Sequence, residues 1–423
     1  MRISKAGHPI ILFIINFFLS HPALAQQKKE INKKIIAFTH ATIYQSPVDA
    51  VIKDGTVIIE DEKITAVGKR KKIKIPKGAE VINCKGLTIT AGFWNSHVHF
   101  TDRKVSNSKE MADKELADYL KQFLTMYGVT YAFDIGSFPE NTLAIKQRIE
   151  NGSVSGPFIF TTGAPLAPPN GTPFYLKSVG ITLPELNSTG MATGIVTQFL
   201  NSGVDGIKMF AASPVERGKD EVLMPENFAN AVTKAAHEKK KPVFAHPSVN
   251  GGLQVAIKSG VDIIAHTTPD GGKTWDSVII KQMLANNVYV IPTLKLWKWS
   301  LQNDKQSQDR IDKFTAVAIE QTRAFHAAGG KILFGTDIGF MNDFNPVDEY
   351  ICMQQAGMSF RQILASMTTI PAEKFGQSNQ TGKVAKGMNA DLVIFSGNPE
   401  SDIKALTDVV YTIRKGKIIY KKQ

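Results

Sequence analysis

The chain has 423 residues, 43% of them hydrophobic, and a formal net charge of +12 at pH 7. This length exceeds one ordinary hydrophobic core, so we expect one large domain with a smaller one attached. The basic residues lack the interleaved aromatic residues and the reading motifs of nucleic-acid-binding proteins, which argues against a nucleic-acid partner. The two cysteines, Cys84 and Cys352, allow at most one disulfide, so burial has to stabilise the fold.

Residues 1–25 have the pattern of a secretory signal peptide. Arg2 and Lys5 precede an apolar run over residues 9–19, and small residues surround a cleavage site after Ala25. The apolar run is shorter than the roughly 20 residues that span a bilayer. We therefore expect cleavage after Ala25, no stable membrane anchor, and a secreted mature chain in a bacterial periplasm.

Residues 26–91 are typical of a small β domain. Apolar, β-branched segments occupy residues 35–44, 55–59 and 64–67, with a turn at residues 61–63. Short segments of this kind separated by turns predict a small antiparallel sheet. We interpret residues 26–91 as the first part of a β-sandwich domain.

After Gly92 the pattern changes to short apolar runs, each followed by a segment of helical periodicity. Such alternation indicates parallel strands joined by helices. The eight strand candidates are residues 93–97, 130–134, 158–162, 206–210, 243–245, 263–265, 289–291 and 332–334. The helix candidates include residues 110–127, 225–238 and 277–285. This repeat predicts the α/β class and a (β/α)8 TIM barrel over residues 92–375.

Beyond Phe375 the chain returns to β-like segments at residues 391–395, 409–413 and 417–420. These segments would complete the sheet that begins before the barrel. We therefore predict that residues 376–423 are the second part of the β-sandwich and that both termini build the smaller domain.

Candidate functional side chains stand at the ends of the predicted strands, where a barrel of this type carries its active site. The first strand candidate ends at His97, and His99 follows two positions later. The alternation of an extended segment directs both imidazoles to one side. Such a pair suits zinc, although His-x-His pairs also occur on ordinary surfaces. Lys208 lies within the otherwise apolar fourth strand, where an unpaired buried ammonium would be costly. The alternative interpretation is an ordinary lysine that snorkels or forms a salt bridge. The later strands lead into His246, His266 and Asp337.

The order and strand placement of these six residues resemble the amidohydrolase superfamily, and within it the imidazolonepropionase-like and prolidase-like (Xaa-Pro dipeptidase-type) binuclear metal hydrolases. The segments 260–266, 334–337 and 387–399 strengthen the resemblance, which covers nearly the whole mature chain. The resemblance implies two divalent metal ions, expected to be zinc, with Lys208 carboxylated. It places the residues as follows: His97, His99 and Asp337 at one metal, His246 and His266 at the other, and Lys208 with a hydroxide between them.

The resemblance also implies that Asp337 is the catalytic residue, first a general base and then a general acid. A pure ligand or a turn-capping role is the alternative. Two positions depart from the family pattern. Asn95 stands where relatives often have aspartate, and Phe133 where they often have an arginine that would recognise a substrate carboxylate.

Two features near the strand ends can each be interpreted in two ways. Trp297, Trp299 and Phe340 either form an apolar pocket or pack in the ordinary way. The Pro/Gly-rich loop over residues 163–189 is either a mobile lid or a fixed loop.

These observations predict a metal-dependent hydrolase that cleaves an amide bond in a small peptide or an N-acyl amino acid. A mononuclear deaminase or cyclic-amidine hydrolase is an alternative, but it would leave Lys208 without a role. A lactonase or phosphotriesterase-like activity is a second alternative and would need the same metal centre. A non-catalytic scaffold is a third, but such a protein would be expected to have lost metal ligands, and here every ligand position is filled. The expected partner is a small-molecule or small-peptide substrate, and a homo-oligomer is compatible with the sequence.

Overall fold

The structure is a computed structural model that describes residues 34–269 and 272–423. The predicted signal peptide, residues 1–25, lies outside the described residues. None of the helices in the described ranges combines the length and apolar composition that crossing a membrane requires.

Strands predominate at both ends of the described chain, and strands and helices follow one another between those ends. The strands are β1 (Ile35–Ile43), β2 (Ile52–Glu60), β3 (Lys63–Lys69), β4 (Glu80–Asn83), β5 (Leu87–Ala91), β6 (Phe93–Val98), β7 (Val129–Asp134), β8 (Phe158–Thr161), β9 (Ile207–Phe210), β10 (Ala212–Ser213), β11 (Val222–Leu223), β12 (Val243–His246), β13 (Ile263–Ala265), β14 (Tyr289–Ile291), β15 (Lys331–Ile332), β16 (Leu392–Ser396), β17 (Val409–Arg414) and β18 (Lys417–Lys421). The helices are α1 (Asp113–Phe123), α2 (Pro139–Glu150), α3 (Phe174–Lys177), α4 (Thr189–Asn201), α5 (Glu226–Glu238), α6 (Asn250–Lys258), α7 (Ser277–Ala285), α8 (Leu294–Asn303), α9 (Gln308–Ala327), α10 (Val347–Gln355), α11 (Phe360–Met367) and α12 (Thr369–Lys374).

Strands from both ends of the described chain form one eight-stranded sheet in the order β18-β17-β16-β5-β1-β2-β3, with β4 beside β1. The C-terminal strands join through β16, which pairs antiparallel with β5. The three N-terminal segments predicted as an antiparallel sheet pair in that way, β1 with β2 and β2 with β3, but β1 also runs parallel to β4 and β5, which the sequence analysis did not select. The reason is topological: β3 lies at the outer edge, so the chain has to cross back to the free side of β1 before it can pair again.

All eight strands predicted for the larger domain are present as parallel strands. They form a three-stranded group, β6-β7-β8, and a five-stranded group, β15-β14-β13-β12-β9. Backbone hydrogen bonds cross both gaps between the groups: Asp205 N donates to Thr161 O, and Ser96 N donates to Phe334 O. The eighth strand is shorter than its predicted range of 332–334, but Phe334 still contributes to the pairing.

The helix predictions at 225–238 and 277–285 are confirmed by α5 and α7. The side chain of Asp276 accepts hydrogen bonds from two backbone amides of the first turn, which fixes the start of α7. The prediction at 110–127 is too long, because Leu124 leaves helical geometry with φ −137° and ψ −56°. A separate 3-10 turn, Thr125–Tyr127, follows it.

A mainly aromatic cluster fills the space between the parallel strands below the ends that carry the predicted site. This interior cluster consists of Trp94, Tyr131, Phe133, Ile135, Phe160, Phe244, Ile263, Ala265, Tyr289, Ile291 and Leu333. The rings of Trp94 and Tyr131 stack with centroids 4.4 Å apart. Cys84 and Cys352 are both buried and free, so the one disulfide that the sequence allowed is not formed.

A buried polar pair ties α8 to α10. The backbone amide of Lys295 donates to Glu349 Oε2 at 2.8 Å, and Lys295 Nζ pairs with Asp343 Oδ2 at 2.8 Å. Glu349 is fully buried, and burial raises its pKa to about 7. The side chain is therefore largely protonated below neutral pH in the folded protein.

This raised pKa has a predictable effect on stability. Between pH 4.5, the ordinary pKa of glutamate, and about 7, folded Glu349 keeps a proton that the unfolded chain releases, so the free energy of unfolding falls as pH rises. We expect Glu349→Gln to remove this fall, which is on the order of a few kcal/mol. Denaturant unfolding at pH 5 and pH 8 measures it, with the exposed Glu373→Gln as the control. A pH slope that stays the same in Glu349→Gln would contradict the prediction.

Candidate metal centre

Three of the six predicted residues meet where β6 approaches the segment after β15. Asp337 Oδ1 lies 3.1 Å from His97 Nε2 and 2.8 Å from His99 Nε2. The two imidazole Nε2 atoms are 3.2 Å apart. A tetrahedron with metal–ligand bonds of about 2.0–2.1 Å has edges of about 3.3 Å, so these separations are close to those of ligands around one zinc ion.

Glycines allow the close approach of these two segments. A Cβ atom on Gly335 would lie 2.7 Å from His97 Cβ, and one on Gly339 would lie 1.8 Å from the carbonyl oxygen of His99. Asp337 itself has a positive φ of 62°, a conformation that costs a non-glycine residue on the order of 1–3 kcal/mol. The backbone is thus held in an unfavourable conformation that directs the carboxylate to the histidines.

The hydrogen bonds of His99 fix which of its nitrogens is free. His99 Nδ1 lies 3.0 Å from Gly136 O, and because a carbonyl only accepts, Nδ1 carries the proton of the neutral ring. In this tautomer His99 Nε2 presents a lone pair to Asp337. The same donor arrangement orients metal-binding histidines in other proteins.

His266 shows the same arrangement. Its Nδ1 lies 2.7 Å from Thr293 Oγ1, whose own hydroxyl hydrogen is donated to Pro292 O at 2.8 Å. Thr293 Oγ1 therefore accepts from Nδ1, which leaves the lone pair on His266 Nε2. His266 has a φ of 92°, and its ring lies 4.7 Å from that of His97.

His246 and Lys208 complete the group on neighbouring strands. The ring of His246 lies 4.5 Å from that of His266. Lys208 pairs in register with Phe244, two residues before His246, and its side chain is buried. Burial lowers the pKa of Lys208 to about 7, although the charge of Asp337 partly opposes the shift. Among the described residues, no acidic side chain forms a salt bridge with Lys208. The structure thus brings all six predicted residues together.

The environment favours the neutral forms of His97, His246 and His266, and neutral imidazole is the form that binds metals. Burial lowers the pKa of His97 to about 3. Burial and the positive charge of Lys208 hold the pKa of His246 well below its usual range. For His266, burial acts together with His246.

The residues fit a divalent cation. Ligand atoms of His97, His266 and Asp337 all lie within 4.8 Å of one another. Asp337 Oδ1 is buried and has no hydrogen-bond partner, although two imidazole nitrogens face it. Lone pairs that converge in a buried site repel one another unless a cation lies between them, so the donor set is that of a metal site.

Support for these ligands comes partly from residues that the sequence analysis did not select. The carboxylate of Asp134 accepts from Ser137 Oγ at 2.6 Å and from two threonine hydroxyls, and it also accepts from Gly136 N. It thereby holds the turn whose carbonyl binds His99. A sequence signal existed, because Asp134 ends β7 at the same edge as the predicted ligands. Nothing in the sequence singled out Thr293.

The two departures from the family pattern have different surroundings. Asn95 is buried, donates to Thr336 Oγ1 at 2.8 Å and accepts from Thr336 N and His97 N. It therefore ties the two ligand-bearing segments together. Phe133 belongs to the interior cluster, with its ring 4.8 Å from that of Phe244, so its side chain contributes to packing.

Aromatic side chains surround the opening of the site. Trp297 donates from Nε1 to Thr267 Oγ1 at 2.8 Å, and its ring lies 6.0 Å from that of His266. The rings of Trp299 and Phe340 are 6.0 Å apart. At its base, the loop 163–189 is bonded to β9 through Leu166, whose amide donates to Lys208 O. Its role as a lid stays a prediction.

Comparisons with known proteins identify the family and show a similar fold. A profile described as the Amidohydrolase family matches residues 88–419. The ochratoxinase of Aspergillus niger is 22% identical over 415 residues, covering 87% of this chain and 83% of that protein. A crystal structure of a Xaa-Pro dipeptidase with bound methionine has a TM-score of 0.78 at 23% identity, covering 92% of this chain and 100% of that chain. The crystal structure of A. niger ochratoxinase has a TM-score of 0.74 at 18% identity, with coverages of 92% and 96%.

The hydrogen bond between His266 and Thr293 leads to a prediction. Thr293→Val preserves the side-chain shape but removes the acceptor for His266 Nδ1–H, so we expect metal affinity to fall roughly 10–100-fold. Competition with a fluorescent chelator measures this affinity. The control is Thr322→Val, since Thr322 is also fully buried but its hydroxyl donates to Ala318 O within α9. Equal affinities in the two variants would rule out a role for Thr293 in positioning His266.

Proposed function

The chain belongs to the amidohydrolase family and is a hydrolase, and from this premise we propose that it cleaves an amide bond in a small peptide or an N-acyl amino acid with two divalent metal ions. The observation that carries the proposal is the convergence of acceptor atoms from His97, His99, His266 and Asp337 beside buried Lys208 and His246. Relatives named Xaa-Pro dipeptidase and ochratoxinase support hydrolysis of C–N bonds.

The donor set suggests how the metals are held. His97, His99 and Asp337 would bind one ion, and His246 and His266 the other, with Lys208 between them. Imidazole nitrogens with a carboxylate suit zinc. When bound, two such ions lower the pKa of water and polarise a substrate carbonyl.

Lys208 would serve as a bridging ligand after carboxylation. A buried ammonium beside neutral imidazoles is unfavourable, and a pKa of about 7 leaves a large neutral fraction at neutral pH. The neutral amine is the form that adds to carbon dioxide. The resulting carbamate is an anion, so it would replace a repelled cation by a group that two metal ions attract.

Asp337 would move the proton. Its carboxyl would be ionised beside a bound cation, which favours the charged form, and it stands at the centre of the ligand group. It can accept a proton at a carboxylate oxygen from attacking water and donate it to the leaving nitrogen, which an amine needs in order to depart. Thr293 and Asp134 contribute indirectly by orienting His266 and His99.

We also propose the finer architecture that the sequence predicts. The hydrogen bonds across both strand gaps support closure into a (β/α)8 barrel over residues 92–375. The sheet shared by residues 34–91 and the C-terminal strands is compatible with the predicted β-sandwich, but its second layer remains a prediction. Secretion to a periplasm rests on the pattern of residues 1–25 and stays part of the proposal.

Metal content tests the binuclear centre. Express residues 26–423 with zinc and bicarbonate, then count metal per chain by elemental analysis. We expect about two ions, and a sharp fall in Lys208→Ala, because the shared ligand is lost. Lys298→Ala is the control, since Lys298 pairs with Asp348 outside the ligand group. One ion in both parent and Lys208→Ala would contradict the binuclear proposal and favour a mononuclear deaminase.

Amide hydrolysis is tested with a panel of dipeptides and N-acyl amino acids. We expect turnover of at least one member in the metal-loaded parent, and a loss in Asp337→Asn of roughly a thousandfold or more in kcat, because amide nitrogen has to be protonated to leave. Liberated amine measures both. Turnover of lactones or phosphotriesters with no turnover of amides would overturn the proposed substrate class.

A further inference from the structure

We propose that Tyr175, Trp297, Trp299 and Phe340 form an aromatic clamp over the metal centre and that it binds an uncharged aromatic or large apolar group of the substrate. The inference rests on the proposed amide hydrolysis and narrows its substrate class. The four side chains come from three separate segments: α3 after β8, α8 after β14, and the turn after Asp337.

Three of the rings form a connected array at the opening of the site, whereas Trp297 contacts the rings of His266 and Phe314. Phe340 contacts Tyr175 with centroids 5.5 Å apart at 67°, and Trp299 with centroids 6.0 Å apart at 65°. In these edge-to-face contacts, part of each ring surface stays available to a further aromatic group. Such a group would be stabilised by packing against the rings in the same edge-to-face arrangement.

Partial exposure distinguishes the clamp from the interior cluster, although Trp297 and Trp299 also pack with part of their surface against buried hydrophobic clusters. The rings of the interior cluster are almost fully buried, whereas Phe340 is 44% exposed. Tyr175, Trp297 and Trp299 are half-buried. Adjacent aromatic rings that remain partly exposed are typical of a binding surface rather than of a core.

The clamp borders the reacting group. Trp297 contacts the ring of His266, and its indole is anchored to Thr267, the next residue. Phe340 follows Asp337 by three positions. Tyr175 is close enough to Asp337 for the carboxylate charge to add to the effect of burial in raising the pKa of the phenol. A group bound between these rings would lie beside the scissile bond.

The surrounding charges favour a neutral group. The lysines nearest to the two tryptophans are engaged elsewhere, Lys295 with Asp343 and Lys298 with Asp348. Arg217 lies at the outer side, over the Phe174 ring at 5.3 Å and paired with Asp304. Since these basic side chains already have acidic partners, a substrate carboxylate would find no unpaired cation among them.

The test compares substrates that differ in one group. N-acetylphenylalanine against N-acetylalanine varies the side chain, and N-benzoylalanine against N-acetylalanine varies the acyl group. We expect at least one aromatic member to have a kcat/KM about tenfold or more above that of N-acetylalanine. We expect this ratio to fall roughly tenfold in Phe340→Ala and in Trp299→Ala, mainly through KM, as one or two ring contacts are lost.

Two further variants separate ring contact from other effects. Tyr175→Phe retains the ring and should keep the ratio, whereas Tyr175→Ala should lose it. Phe138→Ala is the matched control, because Phe138 is 55% exposed and has no ring contact with the clamp in the described residues. Metal content and melting temperature are measured for each variant, so that a folding defect is recognised.

Binding of N-benzoylalanine and N-acetylalanine to the metal-loaded protein is measured in parallel by tryptophan fluorescence. If no amide is hydrolysed but the benzoyl compound binds more tightly and Phe340→Ala removes that difference, the clamp is supported and the proposed function fails. If amides are hydrolysed but the clamp variants change aromatic and small substrates equally, the clamp is overturned and the function stands. No selectivity in either assay also overturns the clamp.

Discussion

The rest of the structure depends on one buried group of side chains, the imidazoles and the carboxylate whose lone pairs point toward one another. Neutral imidazoles and an ionised carboxylate meet at separations near 3 Å, where they would repel one another in the absence of a cation. The fold holds them there, since most of these side chains are buried and His99 and His266 already use their other nitrogen as a hydrogen-bond donor. Much of the surrounding structure can be understood as holding this unfavourable arrangement in place.

Several energetically unfavourable features are concentrated at the candidate metal centre. His266 and Asp337 both have positive φ values, and glycines are required where β6 and the segment after β15 nearly touch. Asp134 is buried with a raised pKa, for which burial is the main cause, yet it accepts several hydrogen bonds that hold the turn beside His99. Strain and buried charge of this kind reduce stability. They persist because the interior aromatic cluster below the site and the strand pairing around it supply compensating packing.

The residues proposed to carry out the reaction and those proposed to select the substrate lie on different parts of the fold. The candidate metal ligands lie on strands or in the short segments that follow them, where backbone hydrogen bonds to neighbouring strands fix the chain. The aromatic side chains around the opening come from loops and helices that follow the strands, where residues can change without disturbing the ligands. One scaffold can therefore keep its hydrolytic centre while the surrounding loops determine which group of a substrate fits beside it.

The sequence by itself determined the strand and helix alternation and the six candidate ligands, because apolar periodicity is local and the candidates stand at strand ends. It did not determine how those side chains face one another. Alternation from Trp94, which faces the interior cluster, would direct Ser96 inward, but a register shift in β6 brings His97 there instead. Ala265 faces the interior cluster, so simple alternation would direct His266 outward, and the positive φ of His266 reverses this. Thr293 and Tyr175 acquire their roles only through contacts between distant segments, for which a single sequence contains no local signal.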